Sequence, residues 1–301
     1  MIHQETNRSS LVEAVPNFSE GRRSQVVDKI AQAIQRPGVR LLNRTSDWDH
    51  NRSVLTVAGP PAAVVEGLYQ AIDVAAQEID LFEHQGVHPR LGATDVVPLI
   101  PIREFSLADC VTLANQLGAR VGEELGLPVY LYEAAATQSA RRNLADVRRG
   151  QFEGLVEEIS QPHRKPDFGP VQVGSAGAVI IGARQFLIAY NVYLETGDVQ
   201  IAKIISKRIR ESSGGMLAVK ALGLLVEGRA QVSMNLVDFQ VTGLPSVMEA
   251  IEQMASDFGT RIHSSELIGL LPQQALLDVA SHYLKLPSLV PDQIIEYALH
   301  K

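Results

Sequence analysis

The segment His84-Gln85-Gly86-Val87-His88-Pro89-Arg90-Leu91-Gly92-Ala93-Thr94-Asp95 concentrates the residues best suited to chemistry. It falls between a helical pattern and a strand, where active-site loops commonly lie. A histidine there titrates near neutral pH and can accept and return a proton within one reaction cycle. A loop histidine can equally bond its own backbone and do nothing more, the commoner case for an isolated one. The step from His84 to His88 also suits two metal ligands on one helix face, with Asp95 as a third. Gly86 and Pro89 break such a helix, and no fuller ligand set follows. The metal reading takes second place.

A second polar cluster, Ser46-Asp47-Trp48-Asp49-His50-Asn51-Arg52, runs into a strand. Its carboxylates, His and Arg could orient an amine and a carboxylate, or could solvate a turn. Trp48 could wall a flat ring or cap the core. Several other sites have no counterpart: there is no Gly-Lys-Ser/Thr phosphate loop, no Gly-x-Gly-x-x-Gly after a strand and no Gly-x-Ser-x-Gly elbow. Cys110 has apolar helical neighbours and reads as core.

The elements that must hold these residues follow from two alternating periods. Leu11 to Val15 reads as a strand, ended by Pro16 and the turn residues to Gly21. Val26, Val27, Ile30, Ala31 and Ile34 form a helical stripe, and strands are expected at Val39 to Leu42 and Arg52 to Ala58, with Asn43 to Asn51 as a polar connection. Pro60-Pro61 opens a helix through Val65, Leu68, Ile72, Ala75 and Ile79. Ser106 with Asp109 forms a capping-box pattern for a helix to Leu125, stopped by Gly126, and Val129 to Tyr132 is a buried strand. The second half repeats the order: strand Phe186 to Leu194, a helix from Val199 to Arg210 with Ile201, Ile204, Ile205 and Ile209 inward, strands Leu217 to Val226 and Gln231 to Val241, and a helix from Pro245. Val15-Pro16-Asn17 aligns with Tyr190-Asn191, and Val65-Glu66 with Met248-Glu249. The expected fold is α/β in the α+β sense, two ferredoxin-like split-βαβ lobes, 1–182 and 183–301, related by an internal repeat. Gln161 to Gly177, rich in Pro and Gly, suits either a linker or a ligand loop, and composition alone favours the linker.

The 301 residues are 46% hydrophobic and 20% charged, as in an ordinary globular chain, and the length favours two lobes. One cysteine excludes an intrachain disulfide and a Cys-based zinc cage. No secretory pattern opens the sequence and no apolar run is long enough to span a membrane, so a cytoplasmic address is expected. The net charge of −7 argues against non-specific nucleic-acid binding. An anionic substrate would need a local cluster of cations.

The chain resembles the glutamate formimidoyltransferase (formiminotransferase) family. The resemblance rests on Val15-Pro16-Asn17-Phe18-Ser19-Glu20-Gly21, Asn51-Arg52-Ser53-Val54, Gly59-Pro60-Pro61, the His88 to Asp95 run, Pro128-Val129-Tyr130-Leu131-Tyr132, Asp167-Phe168-Gly169-Pro170, Gly182 to Asn191, Val241-Thr242-Gly243-Leu244 and Glu266 to Pro272. These matches span nearly the whole chain in order, and the stand-alone form, without a cyclodeaminase domain, is expected. The resemblance implies formimino transfer between N-formimidoyl-L-glutamate and N5 of tetrahydrofolate in histidine breakdown, and a homodimer. It places the catalytic histidine at His88 and the folate loop on Gly169-Pro170-Val171-Gln172-Val173-Gly174-Ser175-Ala176-Gly177, within a stretch one residue shorter than in the animal enzymes. Tetrahydrofolate is then a co-substrate, and no metal is required.

Under that reading His88 shuttles the proton, its tautomer fixed by Asp95, Asp47 or Asp49. Arg52, Arg90 and Arg184, inside the matched segments, are the expected carboxylate binders. Arg141-Arg142, Arg148-Arg149 and Arg164-Lys165 are expected to be solvated or to meet a folate tail. Four alternatives remain: formyl transfer on the same scaffold, folate binding without turnover, a metal hydrolase using His84, His88 and Asp95, and a ferredoxin-like assembly protein.

Overall fold

A computed structural model describes residues 10–287 and 289–299. The chain divides into two compact units after Arg184, two residues beyond the expected boundary.

In the first unit, β1 (Leu11–Ala14) and β2 (Asn17–Phe18) form one strand interrupted at Pro16. They are followed by α1 (Ser24–Ile34), β3 (Arg40–Asp47), β4 (Arg52–Gly59), α2 (Pro61–Glu78) and β5 (Thr94–Arg103). The β1/β2 strand lies between β4 and β5, with β3 outside β4, all antiparallel. This is the split βαββαβ order of a ferredoxin-like sheet.

The sheet then grows. α3 (Leu107–Glu124) leads to β6 (Val129–Glu133), and the short helices α4 (Leu144–Val147) and α5 (Gln151–Glu158) precede β7 (Val179–Ala183). β7 inserts between β5 and β6, parallel to both. Side chains alternate across this part of the sheet. Val179, Ile181, Leu131 and Val97 join the large core with α1, α2 and α3. Ile180, Tyr130, Tyr132 and Val96 join a smaller core with Val147 and Leu155 of α4 and α5. Strands covered on both faces read as continuous apolar runs, as Val179-Ile180-Ile181 does.

The second unit contains β8 (Ile188–Leu194), α6 (Val199–Ile209), β9 (Val219–Val226), β10 (Arg229–Leu236), α7 (Leu244–Asp257), β11 (Ile262–Ile268), α8 (Gln273–Leu284) and α9 (Ile295–Leu299). Its sheet order is β11-β8-β10-β9, all antiparallel. The first unit's β5–β1/β2–β4–β3 order is the same. Asn17 and Asn191 each lie in the first strand of their unit, and Glu66 and Glu249 in the second helix.

Four expectations need correction. β3 runs to Asp47 rather than stopping at Leu42, because this polar edge strand pairs with β4 along its full length. β10 ends at Leu236 rather than Val241: Asp238 turns back to accept a hydrogen bond from the Gln240 N–H. On α6, Ile204 is 39% exposed, while Ala202, Ile205, Ser206 and Ile209 face inward. The segment 161–177 is no linker between units. It lies wholly within the first, where Phe168 pairs with Val129 and Gly177 with Gly92.

Candidate active site

Local chemistry builds the site around the β3–β4 turn. Asn51 sits there at φ 47°, a left-handed conformation that Asn tolerates better than most residues. Its Oδ1 accepts from the Gly21 N–H, its Nδ2 donates to the Gln85 carbonyl, and its own carbonyl meets His84 Nε2 at 3.0 Å. One side chain thus ties the Gly21 loop and the histidine segment to the turn. Gly21 and Gly86 flank it closely: an added Cβ would stand 2.2 Å from the Asp47 carbonyl at the first and 2.4 Å from the His50 carbonyl at the second. Neither position has room for a larger residue. Val87 N–H completes the link by donating to the Asp49 carbonyl.

His88 is thereby set against the start of β4. Arg52 Nη1 lies 2.6 Å from His88 Nε2. A guanidinium only donates, so Nε2 must accept and the imidazole is neutral, with its proton on Nδ1. Burial, followed by the positive charges of Arg52 and Arg148, drives the His88 pKa from 6.5 down to about 3. His50 stands nearby, the two ring centres 6.1 Å apart.

The three carboxylates expected to support His88 bond elsewhere. Asp95 is 1% exposed; its Oδ1 accepts from the Leu91 N–H at 2.7 Å and its Oδ2 takes the Arg148 guanidinium. It fixes the chain just after His88 and holds a cation that acts on His88. Asp47 binds both the backbone N–H and Nδ1 of His50, at 2.7 and 2.9 Å. Asp49 acts through its backbone, its carbonyl accepting from Val87 N–H and its own N–H reaching the Asp47 carboxylate. Trp48 is 66% exposed and caps no core; Arg22 stacks on its ring.

The arginines also sort differently from expectation. Arg90 makes a forked pair with Glu153, at 2.9 and 2.7 Å, and lies against Phe152, which commits it to the fold. Arg184 acts on the Tyr132 hydroxyl and on the buried Glu13 carboxyl. Three arginines expected in solvent are not there. Arg141 pairs with buried Asp167 and stacks on Tyr130, Arg164 donates to the Val147 and Arg149 carbonyls, and Arg148 enters the His88 site. Paired Arg-Arg dipeptides look solvated in sequence. Only their partners, distant along the chain, reveal otherwise.

The loop at Gly169 to Gly177 adjoins the histidine segment. Ser175 accepts from Leu81 N–H and Ala176 from Ala93 N–H, while Ala178 N–H donates to Leu91. Gly169 and Gly177 have φ of 81° and 69°, and a Cβ there would lie 2.1 Å from the Leu127 carbonyl and 2.3 Å from that of Leu91. Gly174 has open space around it, and the stretch from Gly169 to Gln172 is exposed. The loop therefore has fixed ends and an accessible middle.

Among the described residues, no three His, Cys, Asp or Glu side chains gather as metal ligands: His84 turns to the Asn51 carbonyl and Asp95 to Arg148. Cys110 is fully buried, its thiol pushed up to about 12 by burial. No helix among those residues is long and apolar enough to cross a membrane.

The chain belongs to a recognisable class. Residues 11–184 match the formiminotransferase domain, N-terminal subdomain, and residues 189–300 match the formiminotransferase domain. The chain belongs to the formiminotransferase family and is a transferase. It is 44% identical to the glutamate formimidoyltransferase of Streptococcus pyogenes over 92% of this chain and 94% of that protein. It is likewise 44% identical to that of Thermoplasma acidophilum, over 97% and 98%. The formimidoyltransferase-cyclodeaminase of Rattus norvegicus is 44% identical over 91% of this chain but only 52% of its own length.

Proposed function

We propose that this chain is a glutamate formimidoyltransferase, moving a formimino group between N-formimidoyl-L-glutamate and N5 of tetrahydrofolate. Identity at 44% to two glutamate formimidoyltransferases over nearly the whole chain carries this reading. The neutral imidazole of His88 supplies suitable chemistry.

In the direction of histidine breakdown, N5 attacks the carbon of the protonated formimino group, forming a C–N bond as the C=N π pair moves onto the imino nitrogen and leaving an extra proton on N5. His88 takes that proton through Nε2. The imino nitrogen's lone pair then re-forms the C=N bond as the bond from carbon to the glutamate nitrogen breaks, and His88 returns the proton to the departing amine. The cycle leaves His88 neutral and needs no covalent enzyme intermediate. Arg52 and Arg184 supply positive charge for the glutamate carboxylates, and the exposed middle of the Gly169–Gly177 loop receives the folate. In this reading Arg90, engaged with Glu153, serves the fold rather than the substrate.

This reading assigns the histidine chemistry to an N-terminal lobe, 1–182, treats the C-terminal lobe, 183–301, as an internal repeat of it, and carries the family's homodimer and a cytoplasmic address. Incubation with tetrahydrofolate and either formimidoylglutamate or formylglutamate, followed by folate absorbance, tests it. A spectral change with the formimino donor is expected; a change with formylglutamate alone would replace formimino by formyl transfer.

A further inference from the structure

The half-buried guanidinium of Arg52 makes a single side-chain hydrogen bond, to His88, and among the described residues it has no ion-pair partner. The two acids whose charge reaches it are engaged elsewhere, Asp47 with His50 and Asp95 with Arg148. Arg148 brings a second positive charge, and its buried Nε has no hydrogen-bond partner. Two neighbouring cations with unused donors, only one of them paired with a buried carboxylate, are costly unless an anion completes the set. Meanwhile the lone pair that His88 needs for catalysis is occupied by Arg52.

We propose that Arg52 and Arg148 form a two-arginine receptor for a carboxylate of the formimino donor, with Asp95 positioning Arg148, and that filling it releases His88 Nε2 from Arg52. The proposal rests on the reading of His88 as proton carrier. A carboxylate accepts forked hydrogen bonds from guanidinium groups far better than imidazole nitrogen does, so Arg52 turns to the ligand. The groups facing His88 are Arg52 from β4, His50 from the β3–β4 turn and Arg148 from the end of α4, the last tied to Asp95 of β5. An anion among these cations offsets the field that keeps the imidazole from protonating, and its basicity rises when substrate is present.

Arg148→Gln and Arg148→Lys test this, with kcat and KM measured separately for each substrate. Arg148→Gln should raise KM for formimidoylglutamate by about tenfold or more, the effect of losing a charge-assisted contact. Arg148→Lys should recover part of the loss. Glutarate, an unreactive dicarboxylate, should bind the wild-type protein and raise the His88 pKa followed by NMR, and both effects should shrink in Arg148→Gln. Unchanged KM and glutarate affinity in Arg148→Gln, a KM change confined to tetrahydrofolate, or a His88 titration indifferent to glutarate would each overturn the receptor. His88→Asn separates the two ideas: it should bind glutarate at least as tightly as wild type while lacking turnover. Retained turnover there would remove the proton carrier, while the glutarate measurements still decide the receptor.

Discussion

Arg52 and His88 are 36 residues apart in sequence, yet Nη1 of one donates to Nε2 of the other across 2.6 Å. The contact fixes the imidazole as the neutral Nδ1–H tautomer, because guanidinium has no lone pair to offer. Among the described residues Arg52 has no ionic partner, since Asp47 is engaged with His50 and Asp95 with Arg148.

Replacing His88 tests the chemistry directly. His88→Asn should keep the fold, since the side chain is only half-buried, and should lower kcat by about 10²–10⁴-fold, the usual contribution of a positioned proton carrier. Circular dichroism checks the first and single-turnover kinetics the second. Near-wild-type turnover would end the assignment.

Stability should depend on pH through the same residue. The folded-state pKa of about 3 lies below the ordinary 6.5, so between these values the unfolded chain binds more protons. The neutral-His88 contribution is complete above pH 6.5 and declines as pH falls toward 3. Denaturant midpoints measured from pH 7 to pH 4.5 should fall for wild type. His88→Gln, which keeps an acceptor for Arg52 but cannot titrate, should flatten that slope.

Arg90 should behave as a structural residue. Arg90→Met removes a buried guanidinium from its fork with Glu153 and its contact with Phe152. A loss of about 1–2 kcal/mol of stability is expected, discounted because Glu153 is largely exposed. Thermal unfolding reads the loss, and KM for formimidoylglutamate should stay near wild type. A large KM rise at unchanged Tm would return Arg90 to substrate binding.

Two glycines of the same loop should separate structure from binding. Gly177→Ala places a Cβ at φ 69° and 2.3 Å from the Leu91 carbonyl, so a destabilisation of about 1–3 kcal/mol is expected. Gly174→Ala meets nothing within 4 Å and should leave Tm unchanged. Any rise in its KM for tetrahydrofolate then reports on the loop's contact with folate. Equal melting temperatures for the two variants would contradict the geometry.

Local patterns carried most of the architecture. The stripe from Val26 to Ile34, the Pro60-Pro61 start and the Ser106/Asp109 capping box specify helices from neighbouring residues alone, and α1, α2 and α3 follow them. The polar strand β3 was not legible beyond Leu42, because its strand character comes from pairing with β4 rather than from apolar alternation. Likewise β7 depends on two parallel neighbours brought in by distant segments.

The sequence by itself determined the order of elements, the placement of a histidine in a Gly/Pro-bounded loop and, through a chain-long resemblance, the family. These are properties of residue type and short-range spacing. Only the tertiary structure decided which charges meet. It gave Arg90 to Glu153, Asp95 to Arg148 and Arg52 to His88. Such pairings join residues 36 to 63 positions apart, and their value depends on burial. A net charge of −7 says that cations are outnumbered. The fold determines that one of them, Arg52, stands beside His88 with no acid of its own among the described residues.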